Sequence, residues 1–398
     1  MLLKRKEFLK IGSLASASLF MPQFLKAFER NKTVPPGNRV LVVIQFSGGN
    51  DGLNTVIPVS SDIYYQKRPK ISITKAEAGM LTTDVGLHPA LGALTSLYGD
   101  GSLAILNSVG YPNPDRSHFR SMDIWQTASD SKDYLTSGWI GRYLDAQCKA
   151  CDKPTQALEL DDVLSLALKG EQQSGLACKD PRRLYGSSSE KYFRDLSAGH
   201  LPAHDETVDY LYKTMSETIS SAEYIFKQSR LNPSTATYPN TTFGKDMKAI
   251  ASLIFSDINT RIYYVSLGSF DTHVNQNGQQ TRLFSEFNDA IASFTTDLKK
   301  NNRFEDVLIM SFSEFGRRVA QNASNGTDHG TANNMFFIGG GLKQKGLLNE
   351  MPDLSDLTDG DIKHKIDFKS VYATVLNKWL KVDDRTILGQ QYNYLDFI

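Results

Sequence analysis

The hydrophobic residues of this chain fall in short unbroken runs rather than in alternation with polar ones. Val40-Leu-Val-Val-Ile-Gln-Phe46 is rich in β-branched residues, and comparable runs recur at Leu103 to Val109, Ile262 to Leu267, Val307 to Phe312 and Met335 to Ile338. A strand covered on both faces reads this way, because neither side of its pleat has to meet water. Between the runs, apolar residues recur at three- and four-residue steps. They do so at Leu91, Leu94 and Leu97, from Val208 through Leu211, Met215, Ile219 and Ala222 to Phe226, and from Leu283 through Phe287, Ile291 and Phe294 to Leu298. That spacing lines one face of a helix. Alternating strands and helices predict an α/β protein built on a doubly wound, mainly parallel sheet. The stretch from about 145 to 246 is poor in strand runs and is expected as a helical insertion within a single domain spanning 38–398. A last helix, with Phe368, Val371, Val375 and Trp379 on one face, is expected to close the outer layer.

Residues 1–28 stand apart. A basic stretch, Lys4-Arg5-Lys6, precedes a mildly apolar run from Ile11 to Met21 and then Pro22, the order of a cleaved signal peptide. The run is too short to anchor the mature chain in a bilayer. Arg5-Lys6-Glu7-Phe8-Leu9-Lys10 resembles the twin-arginine export motif, with lysine in place of the second arginine. The expected location is therefore the periplasm or the exterior, with no transmembrane anchor in the mature protein. Lysine plus arginine and aspartate plus glutamate balance at 44 each, so net charge supplies no reason to expect a nucleic-acid partner. Three cysteines are too few for a disulfide scaffold in 398 residues. Cys148 and Cys151 have redox-motif spacing but do not follow a strand, and a local disulfide or two free thiols is the simpler reading.

Ligands of open α/β sheets bind beyond the carboxyl ends of the strands, so the residues after each run are where chemistry is sought. Four such loops are polar. Ser47-Gly-Gly-Asn-Asp51 follows the first run, Ser269-Phe-Asp271-Thr-His273 the third and Ser313-Glu314-Phe-Gly-Arg317-Arg318 the fourth; Asp328-His329 precedes the fifth. Carboxylates and imidazoles of this kind can share one cation. A further segment, Arg116-Ser117-His118, opens a predicted helix after the second run. Its serine is either a helix cap or a nucleophile beside a cation, with His118 as its neighbour. Arg116, Arg317 or Arg318 could hold an anionic group. The predicted metal ligands are Asp51, Asp271, His273, Glu314 and His329, and the predicted catalytic groups are Ser117, His118 and Arg317. A Ser-His-Asp triad is the weaker reading because no GxSxG elbow is present.

Taken in order, Gln45-Phe-Ser-Gly-Gly-Asn-Asp-Gly-Leu-Asn54, Leu87-His-Pro89, Val109-Gly-Tyr-Pro112, Ser117-His-Phe119, Ser137-Gly-Trp-Ile-Gly-Arg142, Phe270-Asp-Thr-His273 and Ser313-Glu-Phe-Gly-Arg317 carry a resemblance. The chain resembles exported bacterial proteins of the domain-of-unknown-function family 1501, within the alkaline phosphatase and sulfatase superfamily. The resemblance implies two divalent cations (zinc, manganese or calcium) and a hydroxyl nucleophile acting on phosphate or sulfate esters. By position it implies Asp51 as the first-strand ligand, Asp271 and His273 as an aspartate-histidine pair, His329 as the late ligand and Ser117 as the nucleophile region. Glu314-Phe315 stands where the superfamily has Asp-His, and no sulfatase Cys/Ser-x-Pro-x-Arg signature occurs. The expected function is an exported metal-dependent hydrolase of anionic esters. The alternative is a non-catalytic exported binding or assembly protein acting with a separately encoded partner.

Overall fold

The computed structural model describes residues 39–147, 155–198 and 206–398. The export segment 1–28, the Cys148 and Cys151 pair, and His200 and His204 lie outside the described residues. Among the described residues nine strands form the main sheet: β1 (Val40–Phe46), β2 (Leu103–Gly110), β3 (Ala157–Glu159), β4 (Leu176–Ala177), β5 (Ile262–Leu267), β6 (Val307–Ser313), β7 (Asn333–Ile338), β8 (Gly346–Leu347) and β9 (Ile366–Asp367). Their order is β8-β2-β7-β6-β1-β5-β3-β4, with β9 beside β2. Every residue of β1, β2 and β6 is buried, which is what runs without polar alternation require.

β1 pairs in parallel with β5 and with β6, and β3 continues the parallel side next to β5. β7 runs against both β2 and β6. That reversal matters for the site. In an antiparallel strand the entering end lies beside its neighbours' leaving ends, and Asn333 at the start of β7 pairs with Val109 near the end of β2. Residues before β7 therefore reach the same edge as residues after β1, β2, β5 and β6.

The helical periodicities mark real helices. One spans Gln276–Lys300 and buries Leu283, Phe287, Ile291, Phe294 and Leu298; full burial of each such side chain is worth roughly 1.5–3 kcal/mol. Phe287 meets Phe46 edge-on at 4.9 Å, fixing the helix to the last residue of β1. The closing helix runs Phe368–Thr374 and continues as a π-helical turn over Val375–Trp379, where Trp379 Nε1 donates to the Val40 carbonyl at 3.0 Å. The 145–246 stretch differs from expectation. It holds the long helix Glu206–Ser229, but it also contributes β3 and β4, which extend the sheet beyond β5. Strands of three and two residues leave no periodic signature in sequence.

Candidate metal centre

The loops at the carboxyl edge approach so closely that the first must be glycine. Gly48 and Gly49 sit at φ +118° and +72°, where a side chain is strained. A Cβ on Gly48 would stand 2.5 Å from the Asp271 nitrogen, and one on Gly49 would stand 2.1 Å from the Phe315 ring. Arg317 stitches these loops together from beneath. It is fully buried; its Nε donates to the Gly49 carbonyl at 2.5 Å, Nη1 to Thr327 at 2.9 Å, and Nη2 to Gly48, to Phe270 at 3.1 Å and to Asp271 Oδ1 at 2.8 Å.

Above this floor, three imidazoles surround one carboxylate. His118, Asp271 and His329 offer ligand atoms all within 4.8 Å of one another. His273 Nε2 lies 3.1 Å from Asp271 Oδ1 and 3.0 Å from His329 Nε2, while His329 Nε2 is 3.3 Å from Asp271 Oδ1. His118 Nε2 faces Asp271 Oδ2 at 3.5 Å, too far for a hydrogen bond. The Phe315 ring packs against His118 and His329 with centroids 4.9 and 4.6 Å apart, fixing both ring planes.

The outer nitrogens decide what the inner ones can do. His329 Nδ1 is 2.8 Å from the Arg116 carbonyl, which can only accept, so the proton sits on Nδ1. His118 Nδ1 meets Glu314 Oε1 at 2.9 Å, an oxygen that also accepts from the Gly48 amide at 2.8 Å. His273 Nδ1 meets Asp328 Oδ1 at 3.3 Å, an oxygen that also accepts from Asn322. With the three Nδ1 atoms set against outer oxygens, the three Nε2 atoms turn inward. Those of His273 and His329 stand 3.0 Å apart, and His118 Nε2 is buried without a hydrogen-bond partner. Nitrogens so placed need a proton or a cation among them. Outward-fixed histidines around a carboxylate are the arrangement that orients ligands to a metal ion, and this donor set fits a divalent cation.

Burial works against the charged form of Asp271, but the hydrogen bond and charge of Arg317 hold its carboxyl below the usual range. The hydrogen bond to Glu314 raises His118 above an ordinary histidine, whereas burial, helped by the Arg317 charge, lowers His329.

The predicted residues separate into two groups. Asp271, His273, His329 and His118 converge; His118, expected as a catalytic group, stands among the ligand-type groups. Glu314 is buried one step behind, holding His118. Two expectations are corrected. Asp51 does not face the imidazoles: its carboxylate is buried and bidentate to Arg68, with Nη1–Oδ2 at 2.5 Å and Nη2–Oδ1 at 3.0 Å, and it also accepts from Gln276 and the Leu53 amide. Arg317 does not face a substrate, because every nitrogen of its guanidinium is directed at protein oxygens. Ser117 is exposed at the cap position of the helix His118–Thr127, yet its side chain makes no cap bond. Its neighbours fix it beside the centre, since the Arg116 carbonyl holds His329 and the next residue is His118. Arg68 was invisible in sequence. In Gln66-Lys-Arg68-Pro-Lys it reads as one of several solvated cations, and only the fold buries it completely. His88 is structural: it is buried, accepts from the Ala90 amide at 3.1 Å, and burial pushes its pKa down to about 4.

Among solved structures, similar chains include a sulfatase, PsFucS1, from Pseudoalteromonas sp. (9% identity, TM-score 0.41, covering 100% of this chain and 75% of that one). A second is the zinc complex of the C-terminal periplasmic domain of EcEptC from Escherichia coli (10% identity, TM-score 0.34, 80% and 78%). A third is a protein in the alkaline phosphatase superfamily from Vibrio parahaemolyticus (11% identity, TM-score 0.33, 97% and 79%). No curated protein matches the sequence. A family model matches residues 74–392, so the chain belongs to the family described as protein of unknown function, DUF1501.

Proposed function

We propose that the protein is an exported hydrolase of phosphate or other anionic esters that works with a single divalent metal ion. The observation that carries this reading is the set of inward Nε2 atoms of His118, His273 and His329 around Asp271, with every outer nitrogen set against a protein oxygen. These residues would hold the ion. Imidazole-rich ligation suits zinc or another transition metal rather than calcium, which takes oxygen ligands. The ion supplies a Lewis acid that polarises the ester. Among the described residues a second ion has no comparable place: Asp51 is paired with Arg68, and Glu314 is spent on Gly48 and His118.

The chain itself supplies the rest. Arg116 and Arg318 are about two-fifths exposed and share the buried carboxylate of Asp361, and their guanidinium groups are the candidates to hold an anionic substrate. Ser117, exposed between Arg116 and His118, is the candidate nucleophilic hydroxyl. The basic-apolar segment before Pro22 supports export.

Elemental analysis of the full chain from metal-replete cells tests the reading. A bound transition metal is expected in the wild type and not in His329→Ala, with hydrolysis of 4-nitrophenyl phosphate or sulfate following metal content. Wild-type protein free of metal would overturn it. Ser117→Ala then separates two routes: lost turnover with retained metal marks Ser117 as nucleophile, and retained turnover marks water.

A further inference from the structure

Resting on the hydrolase reading, we infer that the substrate is amphiphilic, an anionic ester carrying an alkyl or aryl chain that lies along an apolar rim beside the metal centre. Single exposed apolar side chains are ordinary on protein surfaces; adjoining ones at a functional site are not. Phe119 is 87% exposed and directly follows His118, and Val274 is 60% exposed and directly follows His273. The two therefore flank the centre from opposite ligand loops.

The Phe119 side is extended by a loop held in place for it. Arg120, buried on the next position of the same helix, donates through Nη2 to the carbonyls of Asp133 (2.6 Å), Ser131 (3.0 Å) and Asp130 (3.2 Å). Its guanidinium also lies 3.9 Å from the centroid of the Tyr134 ring. Ser131 Oγ donates to the Pro112 carbonyl at 3.1 Å, returning this loop to the segment that follows β2 at the carboxyl edge. Tyr134 and Leu135 are exposed, at 77% and 43%, on a loop tied down by Arg120, the residue that follows Phe119. An anionic head at Arg116 and Arg318 leaves the chain of an amphiphilic ester to cover these surfaces. A fully polar ester would leave them wet.

Alkyl phosphates of increasing length, methyl, butyl and hexyl, bound to the metal-loaded full chain and followed by calorimetry below their micelle concentrations, provide the test. Affinity should rise with length by about two- to fourfold per methylene, the range for partial to full burial of each group. Phe119→Ser should flatten that slope most, and Val274→Ser should flatten it if the chain crosses the centre. Equal affinities for methyl and hexyl phosphate, or a slope that survives both substitutions, would overturn the inference while leaving the hydrolase reading intact. Failure of methyl phosphate to bind at all would remove the hydrolase reading and this inference with it. Sedimentation completes the experiment: a wild-type dimer that Phe119→Ser dissociates would assign the rim to a second copy of the chain and overturn the substrate role.

Discussion

Two aspartates, Asp51 and Asp271, each follow a strand of the same sheet, and the fold treats them in opposite ways. Asp51 is buried and saturated: two guanidinium contacts from Arg68, one from the Gln276 amide and one from the Leu53 backbone occupy its oxygens. Asp271 is about half exposed; one oxygen meets Arg317, and the other faces a histidine nitrogen 3.5 Å away without bonding to it. Saturation makes a structural strut. Unfilled valence, with neighbours fixed to face it, makes a site. Residue type and position after a strand are the same in both, so the difference lies wholly in which partners the surrounding loops deliver.

Substitutions at the two aspartates' partners break the comparison most sharply. Arg68→Met would strand a buried carboxylate, at a cost of about 3–5 kcal/mol, and urea denaturation should show it. His329→Ala should leave urea stability close to wild type but reduce metal affinity by more than about 100-fold in competition with a chelating dye, since losing even an outer partner costs 10- to 100-fold. Glu314→Gln, which alters such an outer partner, belongs in that lower range. If Arg68→Met lost metal without losing stability, the strut and the site would have to be exchanged.

Glu159 sharpens the contrast from a third direction. It is buried at the end of β3 with a backbone donor, Ser165 N at 2.7 Å, and burial pushes its pKa up from 4.5 to about 8. The unfolded chain ionises this group well before the folded one. Stability should therefore fall as pH rises from about 4.5 to about 8, by no more than about 1.4 kcal/mol per pH unit, and level off above. Denaturant titrations of Glu159→Gln across that window should lack this component. The smallest expected effect is at Ser117. Because its side chain makes no cap bond, Ser117→Ala should change stability by less than about 0.5 kcal/mol in the same assay. A loss near 1 kcal/mol, typical of a working cap, would show that its hydroxyl caps the helix.

Much of the fold was legible because it depends on residues adjacent in sequence. The runs at β1, β2, β5, β6 and β7 marked the sheet by composition, and the spacing of Leu283, Phe287, Ile291, Phe294 and Leu298 marked its long helix. The short strands β3 and β4 were not legible, because two or three residues carry no period and their pairing energy comes from β5. Polar loops beside the main strands likewise pointed to Asp271, His273 and His329 before any geometry was known. The sequence by itself determined the strands, the helices and the store of carboxylates and imidazoles at one edge. Only the tertiary structure decided that β7 runs backwards and so carries His329 to that edge, that Arg68 takes Asp51, and that Arg116, Glu314 and Asp328 turn three imidazoles inward. Those choices depend on contacts between residues up to 266 positions apart, as between Gly48 and Glu314, which no local pattern encodes.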